Sequence, residues 1–193
     1  MIETFNKLFI PYYIGGSVAS SVYGMARSTL DVDLIAAIKP NQVPALRSEL
    51  ENEYYIDEDM ILDAIARKYS FNLVHYKSMV KIDVFIRKDE PFDNEIFSRK
   101  RKDILGGFEK NIECFFSSPE DIIIHKLKWY RDGNKISERQ WLDVIGVIKV
   151  QAKILNTAYL LKWARDLDLL KLLRKAFAEA GISGYLNGNS LIP

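Results

Sequence analysis

Apolar and polar positions change period several times along this chain, and each change marks an expected element. In Met79-Val80-Lys81-Ile82-Asp83-Val84-Phe85-Ile86-Arg87, the apolar Val80, Ile82, Val84 and Ile86 alternate with Lys81, Asp83, Phe85 and Arg87. A period of two is that of a half-buried strand, and it puts Lys81 and Asp83 on the same side. Residues 30 to 38 read likewise: Asp31 and Asp33 project together, and Val32, Leu34 and Ala36 fill the other face. Around these strands the pattern predicts a short helix at 2 to 9, a strand at 11 to 15 and a helix at 17 to 24. Pro40-Asn41 marks a turn, and Gln42 to Asn52 has helical spacing, with Val43, Leu46 and Leu50 on one face. Tyr54 to Ile56 reads as a short strand and Asp59 to Arg67 as a helix. Tyr69 to Tyr76 and Met79 to Arg87, linked at Lys77-Ser78, read as a hairpin.

Between Asp89 and Gly107 the pattern loosens and charge rises. Gly106-Gly107 reads as a turn, and residues 111 to 116 return to strand pattern. From Ser118 the chain is helical. Ser118-Pro119-Glu120-Asp121 is a helix start, with proline in the first turn and acids near the positive end of the dipole. Ile123, Leu127 and Tyr130 then share a face, widened by Ile122, Ile124 and Trp129, and Lys126 falls inside that apolar arc. A second helix is expected from Glu138 to about Lys149, with Trp141, Ile145 and Ile148 inward. Asp143 falls nearly opposite, four residues after Arg139, which reads as a surface pair. Asn156 to Asp166 and Leu167 to Ala180 read as two further amphipathic helices, and Asn187 to Ser190 as a frayed tail.

Composition narrows the class. The chain has 193 residues, 48% hydrophobic and 27% charged, with a formal net charge of +1. It is long enough for a real core and carries no global basic field for nucleic acid. A single cysteine, Cys114, excludes a disulfide framework and makes a reducing cytoplasm the default expectation. With His75 and His125 the only histidines, a structural zinc site has too few ligands. Leu8 to Ala26 carries no charge over nearly the length of a membrane span. Pro11, Gly15, Gly16 and three serines interrupt it, so the expectation is a soluble, uncleaved protein with no membrane partner.

The chemistry concentrates in three places. Asp31 and Asp33 on one strand face repel one another unless a cation sits between them, and magnesium prefers carboxylate oxygens together with substrate phosphates. Asp83, on a second strand of the same pattern, makes a third acid. Three acids on two strands can hold two metal ions that clamp an in-line phosphoryl displacement, and one acid can take the acceptor's proton. Gly15-Gly16-Ser17 offers a turn through which backbone can approach a phosphate, with Ser17 as donor or helix cap. No Gly-Lys-Ser/Thr follows it, and no third glycine stands in register, which excludes a Walker A loop and a dinucleotide fingerprint. Separately, each piece has a bland reading: a turn, a solvated strand edge, an Asp83 paired with Lys81 or Arg87.

Taken in order, Gly16, Ser17, Asp31, Asp33 and Asp83 resemble the signature of the DNA polymerase beta type nucleotidyltransferase superfamily. That signature is a Gly-Gly/Ser-Ser turn, Asp-x-Asp, and a third Asp on a later strand; Arg27-Ser28-Thr29 also resembles the lead-in of many small bacterial members. Pro119-Glu120-Asp121 with Lys126, and the stretch from Glu138 to Val144, resemble the second region of the abortive-infection toxin type and of uncharacterised bacterial nucleotidyltransferases. In that group a lysine on this helix and an aspartate on the next accompany the metal-binding acids, and Lys126 and Asp143 match those positions. The resemblance covers residues 10 to 180.

It implies an α/β (α+β) fold, with a mixed-sheet nucleotidyltransferase domain at 1–116 followed by a small helical domain at 117–193. It implies transfer of a nucleoside monophosphate from an NTP to an acceptor hydroxyl. Asp31, Asp33 and Asp83 would be the metal ligands, for two magnesium ions, and with Lys126 the catalytic set. Gly16 and Ser17 would hold the β and γ phosphates, with Arg27 and Lys81 neutralising charge as pyrophosphate leaves. The rivals are a toxin acting on tRNA, with an antitoxin partner, and a non-catalytic NTP-binding regulatory module on the same fold. Only the basic run Arg99-Lys100-Arg101-Lys102 and the aromatic-rich surface favour RNA, and the simpler reading of the run is a solvated turn or helix end.

Overall fold

The computed structural model describes residues 1–29, 31–105 and 112–187. The expected turn at Gly106-Gly107, the tail at 188 to 190, Leu30 and Asn111 lie outside the described residues. The chain divides into two compact units, one of residues 1–18 and 28–117, the other of 19–27 and 118–193.

The first unit is built on a mixed sheet that has seven strands among the described residues, in the order β3-β4-β5-β2-β1-β7-β6. The strands are β1 (Tyr12–Ile14), β2 (Asp31–Ala36), β3 (Tyr54–Tyr55), β4 (Ser70–His75), β5 (Lys81–Ile86), β6 (Arg101–Leu105) and β7 (Ile112–Phe116). β2 runs antiparallel to β1 and parallel to β5, while β1 and β7 are parallel. Leu34, Ala36, Phe71, Leu73, Ile82, Val84 and Ile86 are buried, and their cross-strand pairing puts them on one face. Helices α1 (Ile2–Lys7), α3 (Val43–Leu50) and α4 (Glu58–Arg67) add Phe5, Val43, Leu46, Leu50, Ile61 and Ala64 to the core. The hairpin forms as its alternation predicts, with Met79 closing the link in the left-handed region (φ 55°).

Two elements occupy the stretch expected to be loose. α5 (Pro91–Arg99) starts on a proline in its first turn and buries Phe92 and Ile96, four apart on one helix face, together with Phe97. β6 lacks an apolar run because it is an edge strand, and its Arg101, Lys102, Asp103 and Ile104 are all exposed. Pairing with β7 fixes it: Lys102 Nζ lies 2.7 Å from Glu113 Oε2. The basic run is thereby divided. Arg99 ends α5 and Arg101 opens β6, while the Lys100 ammonium turns inward over the rings of Phe97 and Phe115, at 5.4 and 4.5 Å.

The second unit is helical. α6 (Pro119–Asp132), α7 (Glu138–Gln151) and α8 (Thr157–Asp166) start on Ser118, Ser137 and Asn156, each of whose side chains accepts a bond from a backbone N–H three residues on. α9 runs over Leu170–Glu179, three residues later than the expected start at Leu167, because Asp168 takes a left-handed conformation (φ 54°) that no helix continues through. The core holds Ile122, Ile123, Ile124, Leu127, Val144, Val147, Ile148, Leu160, Leu173 and Phe177. Helix α2 (Gly16–Tyr23) begins in the first unit and its later residues count with the second. Gly24, which follows it, lies so close to α7 that a Cβ there would stand 2.9 Å from the Val147 backbone nitrogen.

Leu34 is fully buried directly behind the two aspartates of β2. Leu34→Ala is expected to destabilise the protein by about 3 kcal/mol in urea unfolding; a loss of well under about 1 kcal/mol would contradict its place in the core.

Candidate active site

β2 and β5 lie side by side with Asp31 opposite Lys81 and Asp33 opposite Asp83. Paired positions on neighbouring strands point to the same face, about 4.8 Å apart in the backbone. The four side chains thus form a two-by-two array, three acids and one lysine, on the face opposite the buried Leu34, Ile82 and Val84. Asp31 is exposed, and Asp33 and Asp83 are half-buried. The Lys81 Nζ lies 3.1 Å from Asp83 Oδ1. That hydrogen bond and the charge of Asp83, with smaller contributions from Asp31 and Asp33, hold the Lys81 ammonium above its ordinary pKa.

The glycine turn meets the same array. The Gly15 N–H donates to the Asp33 carbonyl at 3.0 Å, continuing the pairing of Ile14 with Leu34. The next residue, Gly16, sits at φ +54° with the Asp33 carboxylate pressed against its Cα. A Cβ at Gly16 would overlap Asp33 Oδ2 and stand 2.5 Å from its carboxyl carbon. Glycine is therefore required twice over, by the left-handed backbone and by the space the carboxylate fills. α2 begins at Gly16, and Ser17 lies at its start. A carboxylate beside the first turn of a helix is electrostatically favoured.

These residues suit a hard divalent cation in chemistry. All the donors are carboxylate oxygens, Asp33 is fixed by the Gly16 cradle, and Asp83 lies in register with it. Among the described residues, however, no three acidic, histidine or cysteine side chains stand close enough together to hold an ion as they are placed. Asp83 is engaged by Lys81.

Arg27, Lys126 and Asp143 meet in the second unit. Arg27 grips Asp143 with both ends of its fork, Nε to Oδ1 at 2.9 Å and Nη2 to Oδ2 at 3.1 Å. The Lys126 ammonium reaches Asp143 Oδ2 at 2.8 Å and donates to Gln140 Oε1 at 2.9 Å. The side chains of Lys126 and Asp143 are 2% and 6% exposed. This corrects the reading of Asp143 as a surface partner of Arg139: a helix-wheel view sees only α7, and the buried lysine that draws Asp143 inward is on α6. Lys126, inside the apolar arc of α6, is likewise buried. Burial alone would raise the Asp143 pKa, but the hydrogen bonds and charges of Arg27 and Lys126 outweigh it and hold the carboxyl below its ordinary value. The same contact raises Arg27. Asp121, expected at the positive end of the α6 dipole and in the motif that carries the resemblance, is fully buried and accepts from Ser118 Oγ at 2.6 Å and Tyr159 Oη at 2.5 Å.

No protein-family model matches the chain. No curated protein matches its sequence. Among solved structures, an antigenic nucleotidyltransferase-like protein from Paracoccidioides brasiliensis superposes with a TM-score of 0.56 at 16% identity, over 93% of this chain and 87% of that one. The antibiotic-resistance factor ANT(2'')-Ia superposes with a TM-score of 0.50 at 13% identity, over 93% of this chain and 90% of that one. A lincosamide antibiotic adenylyltransferase, LnuA with lincomycin bound, is more distant: TM-score 0.46, 11% identity, 77% of this chain and 92% of that one. At these identities the likeness establishes the fold: a mixed α/β fold of the nucleotidyltransferase kind. Among the described residues no helix is long and apolar enough to cross a membrane.

Two outcomes follow from this geometry. Gly16→Ala is expected to strain the turn and displace the Asp33 carboxylate, costing roughly 1–3 kcal/mol in thermal or urea unfolding; a variant as stable as the parent would contradict the close approach. Asp143 has a lowered pKa, so its stabilisation is complete above the ordinary carboxylate range and disappears as pH falls through the folded value. The stability difference between the parent and Asp143→Asn should be level above about pH 5 and shrink below about pH 4. A difference that grows on acidification would contradict the ion cluster.

Proposed function

We propose that this protein is a magnesium-dependent nucleotidyltransferase that moves a nucleoside monophosphate from an NTP to an acceptor hydroxyl. The observation that carries the reading is the meeting of the glycine turn with the acid array: Asp33 rests on Gly16 and faces Asp83 across two parallel strands. A turn and an acidic strand found separately would each be ordinary. The fold shared with a nucleotidyltransferase-like protein supports the same conclusion, although a fold alone does not carry an activity.

In this reading Asp31 and Asp33 hold the nucleotide's divalent cation, with Asp83 completing the set or taking the acceptor's proton. When bound, the magnesium offsets charge on the phosphates and on the departing pyrophosphate. Gly16 and Ser17, at the start of α2, offer backbone and hydroxyl donors to the phosphates beyond the α position. The acceptor oxygen attacks the α-phosphorus, the bond to the bridging oxygen of pyrophosphate breaks, and the acceptor's proton passes to Asp83. Such transfer depends mainly on positioning and charge compensation, which an array of fixed carboxylates beside a helix start can supply. Lys126 and Arg27, which the sequence resemblance assigns to the site, are both engaged with Asp143 within the second unit. Within the basic run Lys100 turns over Phe97 and Phe115 and Lys102 pairs with Glu113, which weakens the support the run lends to an RNA acceptor.

The double substitution Asp31→Asn with Asp33→Asn should lower the affinity for Mg-NTP by at least about tenfold in calorimetry while the unfolding midpoint stays close to the parent's. Unchanged affinity would contradict the assignment. Incubation of the full chain with each of the four radiolabelled NTPs and cell extract should transfer label to one acceptor class and thereby identify it.

A further inference from the structure

Lys81 has a position that charge neutralisation of a leaving group does not by itself explain. It is the fourth corner of the array, opposite Asp31 across the strands and two residues from Asp83 along its own strand. Its ammonium is committed to Asp83, 3.1 Å away, although the side chain is 45% exposed and could extend into solvent. Three carboxylates and one ammonium leave the array two negative charges, the charge of one divalent cation. An ion entering between the strands meets both the attraction of the acids and the repulsion of the lysine. Two cations sharing one carboxylate at this range repel one another, so each weakens the other's hold on it.

We propose that Lys81 is an electrostatic latch on the acidic array: it holds Asp83 in an ion pair until a divalent cation takes that carboxylate, and its freed ammonium then pairs with the phosphates of the nucleotide. The inference rests on the metal-dependent reading above and adds an order of events to it. Without an ion, the lysine offsets the mutual repulsion of the acids and keeps Asp83 turned along β5. With metal and nucleotide together, the array gains a third donor and the phosphates gain a cation, so the two bind more tightly together than either alone. Binding of metal without nucleotide is resisted. Lys81 is thus a positioning residue for Asp83.

The test uses the full chain and a readout that does not depend on turnover. Mn2+ binding is measured by the electron paramagnetic resonance signal of the free ion, without nucleotide, for the parent, Lys81→Met, Lys81→Arg and the Asp31→Asn/Asp33→Asn pair. Lys81→Met should bind Mn2+ about tenfold more tightly than the parent, and Lys81→Arg, which keeps the charge, should stay close to the parent. Mg-ATP affinity should move the opposite way in Lys81→Met, weakening severalfold, a crossed effect that loss of packing would not produce. If Lys81→Met binds Mn2+ no more tightly than the parent while the paired asparagine variant loses it, the latch is overturned and the metal site stands. Mn2+ bound by neither the parent nor Lys81→Met would overturn both.

Discussion

The Asp33 carboxylate lies against the bare Cα of Gly16, and much of the first unit serves that contact. β1 must end at Ile14, in antiparallel register with Leu34, so that the Gly15 N–H reaches the Asp33 carbonyl. The chain must then turn through a positive φ and start a helix at once. β2 must present Asp33 on the open face while Leu34 and Ala36 anchor it from behind. Shifting β2 by one residue would bury the aspartates and expose the leucine, so the hydrophobic pattern that folds the sheet also aims the acids.

Both units offset carboxylate charge with cations, one from the same strand and the other from distant parts of the chain. On the sheet, three carboxylates within two strands would repel strongly, and Lys81 offsets them from the strand that carries Asp83. In the helical unit, Asp143 is almost wholly buried and depends on Arg27 and Lys126, separated from it in sequence by 116 and 17 residues. The two solutions differ in permanence. A buried, bidentate and doubly paired carboxylate is costly to break, because each partner would be left desolvated. A partly exposed pair such as Lys81 with Asp83 contributes less to stability and is more easily exchanged. The first arrangement holds a fold together, and the second is free to respond to a ligand.

Much of this was legible in the sequence, and the limits have physical causes. Strict alternation in β2 and β5 predicts both strands and the shared side of Lys81 and Asp83, because a period of two has no other reading when one face is buried. The helix start at Ser118 follows from the proline and acids of its first turn, and the one at Asn156 from the amphipathic spacing that begins there. What escapes is set by tertiary partners. β6 carries charge on an exposed edge and is a strand only because β7 lies beside it. Asp143 faces away from the apolar stripe of its own helix, and its burial is decided by a lysine and an arginine that no local pattern connects to it. The left-handed Asp168 is similar, since a single backbone choice inside an apolar helical run leaves the periodicity intact. The role of Gly16 shows the same limit from the other side: the glycine is visible as a turn residue, but the carboxylate it accommodates lies seventeen positions on and is reached only through the pairing of β1 with β2.

The central claim is that the acids of β2 and β5, seated on the glycine turn, form a divalent cation site that receives a nucleotide triphosphate. The most direct measurement is anomalous scattering from crystals grown with Mn2+ and a non-hydrolysable ATP analogue. The account predicts a manganese peak about 2.1 Å from carboxylate oxygens of Asp31 and Asp33, shared with the analogue's phosphates. An analogue bound elsewhere, or manganese ligated without either aspartate, would contradict it.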